Sequence, residues 1–413
     1  MSGQQDTYQQ LLPQLFRLEY TKMTAVLCRH FGLKHLAVAE DIASEAFLQA
    51  THTWAHKGIP ENPTAWLYTV AKNKARDYLK HEQIFEQKVS PQLQANNQVS
   101  YPDFDFTEKQ IADSQLAMIF AVCDPVNPPA AQIALALQIL CGFSVTTISH
   151  AFLSPAETIK KRLQRARKQL REQNFQVSNL TPEVLATRLP AVHTTLYLLF
   201  NEGYFSSGAN QVIRQDLCGE ALRLALILTT NERTDTPATK ALIALFCYQS
   251  SRLEARLNDS GEQILFEQQD TSRWNQELIV KGHQYFIDAC TGNELSRYHL
   301  EAGIAYWHTT VDNPDKWKHI LSLYNELIII SYSPVTALNR TFAFAKVYGN
   351  KAGIEEALKL RLDNNSYYHS LLGYLYSDAT ETAIYHYQKA LALTNSEPEK
   401  HTIQKEINRL QGL

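Results

Sequence analysis

Apolar residues recur along almost the whole of this chain at the 3.6-residue helical period, and the strict alternation of a half-buried strand is nearly absent. A strand that faces a core on one side needs period 2, so the scarcity of that pattern removes sheet-based architectures. Glycine and proline number only 15 each in 413 residues, few for a fold built on tight β-turns. The expected fold class is therefore all-α. At roughly 150 residues per domain, the length suggests two to four domains.

Several functional classes fall away. Hydrophobic residues at 45% and charged residues at 20% are the balance of a globular chain, not a disordered one. The longest apolar stretches, such as Ile133–Leu140 and Leu327–Ile330, fall short of the roughly 18 residues that span a bilayer. No charged-then-apolar leader opens the chain, so a soluble cytoplasmic protein with no membrane partner is expected. The six cysteines (28, 123, 141, 218, 247 and 290) form no CxxC pair, and no HxxxH or HExxH pair is expected among the scattered histidines. Neither a metal nor another cofactor is expected, and no catalytic residue is assigned.

Charge is unevenly spread. Residues 118–172 carry seven Lys/Arg against three Asp/Glu, whereas residues 173–413 carry 21 against 26. A basic block inside an acidic protein suggests local contact with a polyanion. The polar, Asn/Gln-rich stretch 87–105 (QKVSPQLQANNQVSYPDFD) reads as a linker between two helical segments. Thr181–Pro182 and Ser333–Pro334 open two further regions.

In the first segment, Val38, Ile42 and Ala46 make a buried face. Asp41 and Glu45 are like charges at i, i+4 with Glu40 beside them, an arrangement that costs a few tenths of a kcal/mol unless something basic answers it. Such a face is either solvated near a basic neighbour or a dock for a basic partner. After the turn-rich loop WAHKGIPENP (54–63) comes TAWLYTVAKNKARDYLK (64–80). There Leu67, Ala71, Ala75 and Tyr78 form an apolar stripe, and Lys72, Arg76 and Lys80 a basic ridge with Asn73 alongside. A basic ridge among aromatics suits nucleic acid, since cations neutralise phosphates and rings stack on bases. Trp66 reads equally well as core or as a base-stacking wedge.

The second segment is the more specific. Ala131–Leu140 reads as a helix stopped at Gly142, Val145–Leu153 as a short helix, and Ser154–Pro155–Ala156–Glu157 as a capping box. Ile159, Leu163, Ala166 and Leu170 then form a buried stripe. The exposed side carries Lys160, Lys161, Arg162, Arg165, Arg167, Lys168 and Arg171. Two helices joined by a short turn, the second strongly basic, fit helix-turn-helix geometry. Thr158, Lys161 and Arg162 stand early enough to read bases, while Arg165 and Lys168 suit phosphates.

AEDIASEAFLQA (39–50), NPTAWLYTVAKNKARDYLK (62–80) and SPAETIKKRLQRARKQL (154–170) together resemble regions 2 and 4 of a bacterial extracytoplasmic-function sigma factor of the sigma-70 family. RLPAVHTTLYLLFNEGY (188–204), DLCGEALRLA (216–225), DTSRWNQELI (270–279) and SPVTALNRTFAFA (333–345) are similar to the subgroup with a long tetratricopeptide-like extension. The resemblance implies region 2 at 8–86, a linker at 87–112, region 4 at 113–175, a helical extension at 183–330 and repeats at 331–413. It implies a non-enzymatic initiation factor whose partners are core RNA polymerase (β′ clamp helices and β flap) and promoter DNA. Asp41, Glu45 and Gln49 would dock on polymerase. Lys72, Asn73, Arg76, Lys80 and Trp66 would serve the −10 element, with loop 57–63 capturing an unstacked base. Thr158, Lys160, Lys161, Arg162, Arg165 and Lys168 would serve the −35 element. Ser44, where many relatives have Gln, and Ala156–Glu157, in reversed order, depart from the pattern. The alternative reading is a helix-turn-helix regulator with a helical sensor domain, which has no use for a strand-opening helix.

Near the end, Ala337–Ala345 with Gly353–Leu360, and Ser370–Tyr376 with Ala383–Leu393, repeat at 31–33 residues, close to the 34 of tetratricopeptide arrays. Such arrays bind a protein or peptide partner, or else serve as docking platforms for the rest of the chain. Glu202, set among aromatics in YLLFNEGY, is expected to pair with Arg188 or Arg214 rather than to catalyse.

Overall fold

Helix caps and positive-φ glycines divide the chain much as the period requires. In the computed structural model the described residues are 2–89, 104–152, 154–172, 180–205, 211–256, 264, 266–310 and 313–412, and every regular element among them is helical. The chain opens with α1 (Ser2–Phe31), α2 (Leu36–Lys57) and α3 (Pro63–Val89). Then come α4 (Glu108–Val122), α5 (Pro129–Leu135), α6 (Val145–Ala151) and α7 (Ala156–Glu172). The remainder comprises α8 (Pro182–Phe205), α9 (Gln211–Ile227), α10 (Pro237–Ser251), α11 (Gln276–Ala289), α12 (Arg297–Thr309), α13 (Lys316–Ile330), α14 (Pro334–Tyr348), α15 (Asn350–Leu360), α16 (Ser366–Leu375), α17 (Thr380–Leu393) and α18 (Glu397–Gln411). No described helix is long and apolar enough to cross a membrane. Two units result, Met1–Leu199 with Thr230–Thr234, and Phe200–Thr229 with Asp235–Leu413.

The first unit is organised around α4, whose residues Leu116 to Val122 are all buried. It packs against α1, itself buried from Met23 to Cys28, and against the π-helical turn Ala136–Leu140 that continues α5. That turn closes with Cys141 N–H donating to the Ala136 carbonyl at 3.1 Å, and Gly142 ends it at φ +70°. On α7 the expected stripe of Ile159, Leu163, Ala166 and Leu170 is buried throughout. Burying a Leu or Ile contributes about 1.5–3 kcal/mol, so the stripe, not intrinsic propensity, secures this highly charged helix.

Two local expectations are corrected. The Ser154 hydroxyl donates to the Phe152 carbonyl (3.0 Å) instead of accepting from the Glu157 amide, and the Glu157 carboxylate lies 3.9 Å from Lys160. The linker is also shorter than 87–112: α3 runs to Val89, α4 starts at Glu108, and Phe104 is buried. Residues 90–103 lie outside the described residues.

The extension does not begin where the sequence suggested either. The first part of α8 belongs to the first unit, and buried hydrogen bonds show why. Gln132 donates through Nε2 to the carbonyls of Asp124 (3.0 Å) and Asn127 (2.7 Å), and its Oε1 accepts from the Thr195 hydroxyl (2.6 Å). Arg188, expected to pair with Glu202, lies 2.6 Å from the Asp124 carboxylate. The Arg214 side chain lies outside the described residues. Cutting the chain near residue 175 would strip Gln132 and Asp124 of these partners, at about 1–3 kcal/mol per buried group.

In the second unit, α10 is buried continuously from Ala241 to Tyr248 and packs on α11 and α12. Helix pairs then follow in series: α12 on α13, α14 on α15, α16 on α17, closed by α18. Ala357 and Ala390, the small residues expected at helix crossings, are fully buried. At Gly353 a β-carbon would stand 2.5 Å from the Ala345 β-carbon and 3.3 Å from Leu375.

Two expected outcomes follow from this packing. Gly353→Ala gains helix propensity but overpacks the α14–α15 crossing, so it should cost about 1–3 kcal/mol. Hydrogen exchange in α14–α17 should speed up, and Ala345→Gly in the same chain should restore protection. His193, on α8, is buried and its imidazole is held down at about 4 by that burial. The unfolded histidine titrates near 6.5, so the unfolded chain binds the proton first. Its contribution is complete above about pH 6.5 and declines as pH falls toward 4, by up to about 3 kcal/mol. Urea titrations of the intact chain at pH 7 and pH 4.5 should show this loss, reduced in His193→Leu.

Candidate nucleic-acid interface

α2 presents two faces because its period is kept over 22 residues. Ala39, Ile42, Ala43, Ala46, Phe47, Ala50 and Trp54 are buried, while Asp41, Ser44, Glu45, Leu48 and Gln49 are exposed. The like-charge cost at Asp41 and Glu45 is answered within the chain. Lys74 of α3 places its ammonium 2.8 Å from Glu45. This pair is well exposed and worth about 0–1 kcal/mol. Asp41, Glu45 and Gln49 thus share one solvent-facing acidic strip.

α3 carries Leu67, Ala71 and Ala75 on its buried side and is started by Asn62, whose Oδ1 accepts the Ala65 N–H at 3.0 Å. Lys72 and Arg76 are half-buried, and Asn73 and Lys80 are exposed, so these four of the five expected −10 residues share one helix with the fifth, Trp66, and Lys80 lies 3.7 Å from Asp77. Trp66 is half-buried and meets the buried Trp54 edge-on at 5.5 Å, so it is at least partly a packing residue. The loop before α3 turns at Gly58, φ +81°, a conformation that glycine adopts without penalty.

On α7, Thr158, Lys160, Lys161, Arg165 and Lys168 are exposed on the side opposite the stripe. Arg162 is half-buried, its guanidinium 5.5 Å from the Phe152 ring centre in the turn between α6 and α7. Lys160 and Lys168 have weak partners on their own helix, Glu157 at 3.9 Å and Glu172 at 3.7 Å. Lys161 and Arg165, one turn apart, make no ion pair among the described residues. Cations spaced like this along one helix face can follow a phosphate backbone.

Sequence reasoning missed other residues. Arg167, grouped with the exposed cations, is turned inward. Both terminal nitrogens bond the Glu40 carboxylate, at 2.8 and 2.6 Å, and Nε bonds Gln138 Oε1 at 2.9 Å. A signal was present, since Arg167 follows Leu163 by four residues at the edge of the stripe. Tyr68 donates to the buried Glu19 and stacks on Phe106 at 4.7 Å. Burial, then Glu19, pushes the Tyr68 phenol upward, so it stays a donor. His52 and His56 stand one turn apart on α2, both exposed, which corrects the expectation that the histidines lack an HxxxH spacing. Among the described residues no three His, Cys, Asp or Glu side chains are grouped to hold a metal. In the second unit, Tyr367, Tyr374, Tyr387, Glu399, Glu406 and Arg409 help line a groove of about 500 Å³. Glu202 is partly buried, which raises its pKa.

Comparison with known proteins bears on this arrangement. Residues 8–84, spanning most of α1 through α3, match sigma-70 region 2. Residues 188–290 match a family of unknown function, DUF6596. Over 401 residues the chain is 31% identical to Uncharacterized protein R00370 of Rhizobium meliloti (strain 1021), covering 93% of this chain and 92% of that one. No solved structure matches the chain. The region 2 match falls on the helices that carry the acidic strip and the basic ridge, and the likeness to the relative runs almost end to end. The chain therefore belongs to the sigma-70 family, whose members are transcription initiation factors that act with core RNA polymerase on promoter DNA.

Proposed function

We propose that this chain is a cytoplasmic sigma factor of the extracytoplasmic-function type, in which α1–α3 bind core polymerase and the −10 element and α4–α7 read the −35 element. The observation that carries the reading is α7. Its apolar stripe is wholly buried, its opposite side is exposed and cationic, and a four-residue turn joins it to α6. That arrangement suits insertion of a helix into the major groove, and the same unit holds a region 2. In this reading Thr158, Lys161 and Arg162 face base edges, and Lys160, Arg165 and Lys168 face phosphates. Asp41, Glu45 and Gln49 dock on the β′ clamp helices, and the β flap takes the region 4 module. Lys72, Asn73, Arg76, Lys80 and Trp66 serve strand opening at the −10 element.

The second unit is read as a tetratricopeptide-like array. Its serial helix pairs and their small-residue crossings support this, and the tyrosine-lined groove on α16–α18 is the candidate surface for a peptide or protein partner.

Core polymerase binding by the full chain tests the reading. Glu45→Lys loses only an exposed ion pair, so the fold should persist while polymerase affinity falls at least about tenfold. Retained affinity in a folded Glu45→Lys variant would remove the α2 strip from the interface. Holoenzyme–promoter binding should weaken steeply with salt, and Arg165→Ala should reduce the slope of log affinity against log salt by about one. An unchanged slope would place Arg165 away from phosphate.

A further inference from the structure

Residues 173–413 are acidic as a whole, yet the second unit gathers cations at one buried place. Arg252 closes α10 and is itself buried, with an exposure of 9%. Among the described residues no carboxylate answers its guanidinium. Nη2 donates to the Tyr204 hydroxyl at 3.1 Å, the guanidinium carbon lies 5.1 Å from the Phe266 ring centre, and Nε is buried without a hydrogen-bond partner. Burying a charge without a counter-charge is costly, and an anion arriving beside Arg252 recovers much of that cost.

Two further polar atoms near the same ring are buried without partners, Trp274 Nε1 and His308 Nδ1. The Trp274 and His308 ring centres stand 6.2 and 4.7 Å from that of Phe266, and Lys316 Nζ stands 5.5 Å from it. The end of α10 draws these groups together. Asn275, next to Trp274, donates its N–H to the carbonyl of Ser251, next to Arg252, at 2.9 Å. α12 brings His308, and the first residue of α13 is Lys316, which donates to the Thr310 carbonyl at 3.2 Å. Tyr204, Arg252, Phe266 and Trp274 all fall within the stretch that matches the family of unknown function.

The chemistry of the three unpartnered atoms is one-sided. An arginine Nε–H and an indole N–H only donate. Burial, then the charges of Arg252 and Lys316, holds the His308 imidazole down at about 3, so the ring is neutral, and with its proton on Nδ1 it is a third donor. A group that satisfies all three is rich in acceptors, and one that also answers Arg252 is negative. Water meets the first requirement and not the second. Donors this deeply buried are out of reach of a macromolecular surface, whereas a small molecule can enter past Phe266 and Lys316, both half-buried. We propose that Arg252, Trp274 and His308 form the donor set of a binding site for a small molecule carrying an oxyanion, a carboxylate or a phosphate, flanked by the Phe266 ring and Lys316. The site belongs wholly to the second unit and goes beyond the sigma reading.

Inorganic phosphate and acetate, the simplest phosphate and carboxylate, are the probes. Thermal unfolding of the full chain is followed at fixed ionic strength while each replaces chloride, up to about 50 mM. Wild type should show a saturable rise in Tm of at least about 3 °C with one of them, and the more effective probe names the oxyanion. Arg252→Met fills the space without the charge. It should abolish the rise, which separates binding from the general effect of salt. Trp274→Phe keeps a ring and removes one donor, so it should weaken the apparent affinity at least about threefold. The same titration of Trp274→Phe decides the matter if Arg252→Met does not fold. No saturable rise in wild type, or the same rise in wild type and the folded variants, overturns the site. Neither polymerase nor DNA enters the measurement, so failure of the site leaves the proposed function standing.

Discussion

A helix apolar on every side must be covered on every side, and in this protein that constraint falls on α4. Leu116 to Val122 are withdrawn from water in an unbroken run, so α1 and the turn after α5 must close around them. Each of the larger side chains in this run, Leu116, Met118, Ile119, Phe120 and Val122, contributes on the order of 1.5–3 kcal/mol when fully buried, more than an exposed ion pair. The positions of α6 and α7 follow in turn, since α6 packs on the turn after α5 and α7 packs on α5 and α6. The part of the chain proposed to read DNA is thus seated by an apolar core that has no role in recognition.

Charge then selects among the arrangements this core permits. Of the carboxylates on α2, Glu45 is answered by Lys74, Glu40 by Arg167, and Asp41 is left to solvent. These pairs differ in worth. The Lys74 contact is a single exposed ammonium, whereas the guanidinium of Arg167 makes two charge-assisted bonds to Glu40 and a third to Gln138. A planar fork fixes direction as well as distance, which a lysine at 167 would not do. Glu40 and Glu45, five residues apart on one helix, thus hold α7 and α3 respectively.

The second unit solves a different problem. Its helix pairs must approach closely and repeatedly, so glycines leave room at the contacts: Gly353 meets Ala345, and the rings of Tyr248 and Tyr387 lie against Gly282 and Gly373. Buried alanines do the same at 357 and 390. Aromatic side chains fill the wider spaces, and cations such as Lys346, within reach of the rings of Trp317, Phe342 and Tyr374, lie over them. Close crossings and large rings in alternation give a stack whose members depend on their neighbours.

The amino-acid sequence by itself determined that the chain is helical, where its apolar faces lie and which helices are basic. Period, caps and glycines act within a few residues, so the stripe of α7, the faces of α2 and α3, and the crossings at Ala357 and Ala390 were legible. The region 2 signature was legible for the same reason, being contained in two helices that are each continuous in sequence, α2 and α3. Contacts across long stretches of chain were not. Arg167 reads as one more exposed cation until Glu40, 127 residues earlier, is brought beside it. Thr195 and Arg188 read as part of the extension until Gln132 and Asp124 claim them for the first unit. Phe104 reads as linker until α1 buries it. Only the tertiary structure decides such pairings, because a side chain's partner is set by which surfaces the core forces together, and that depends on the packing of the whole unit rather than on any local spacing.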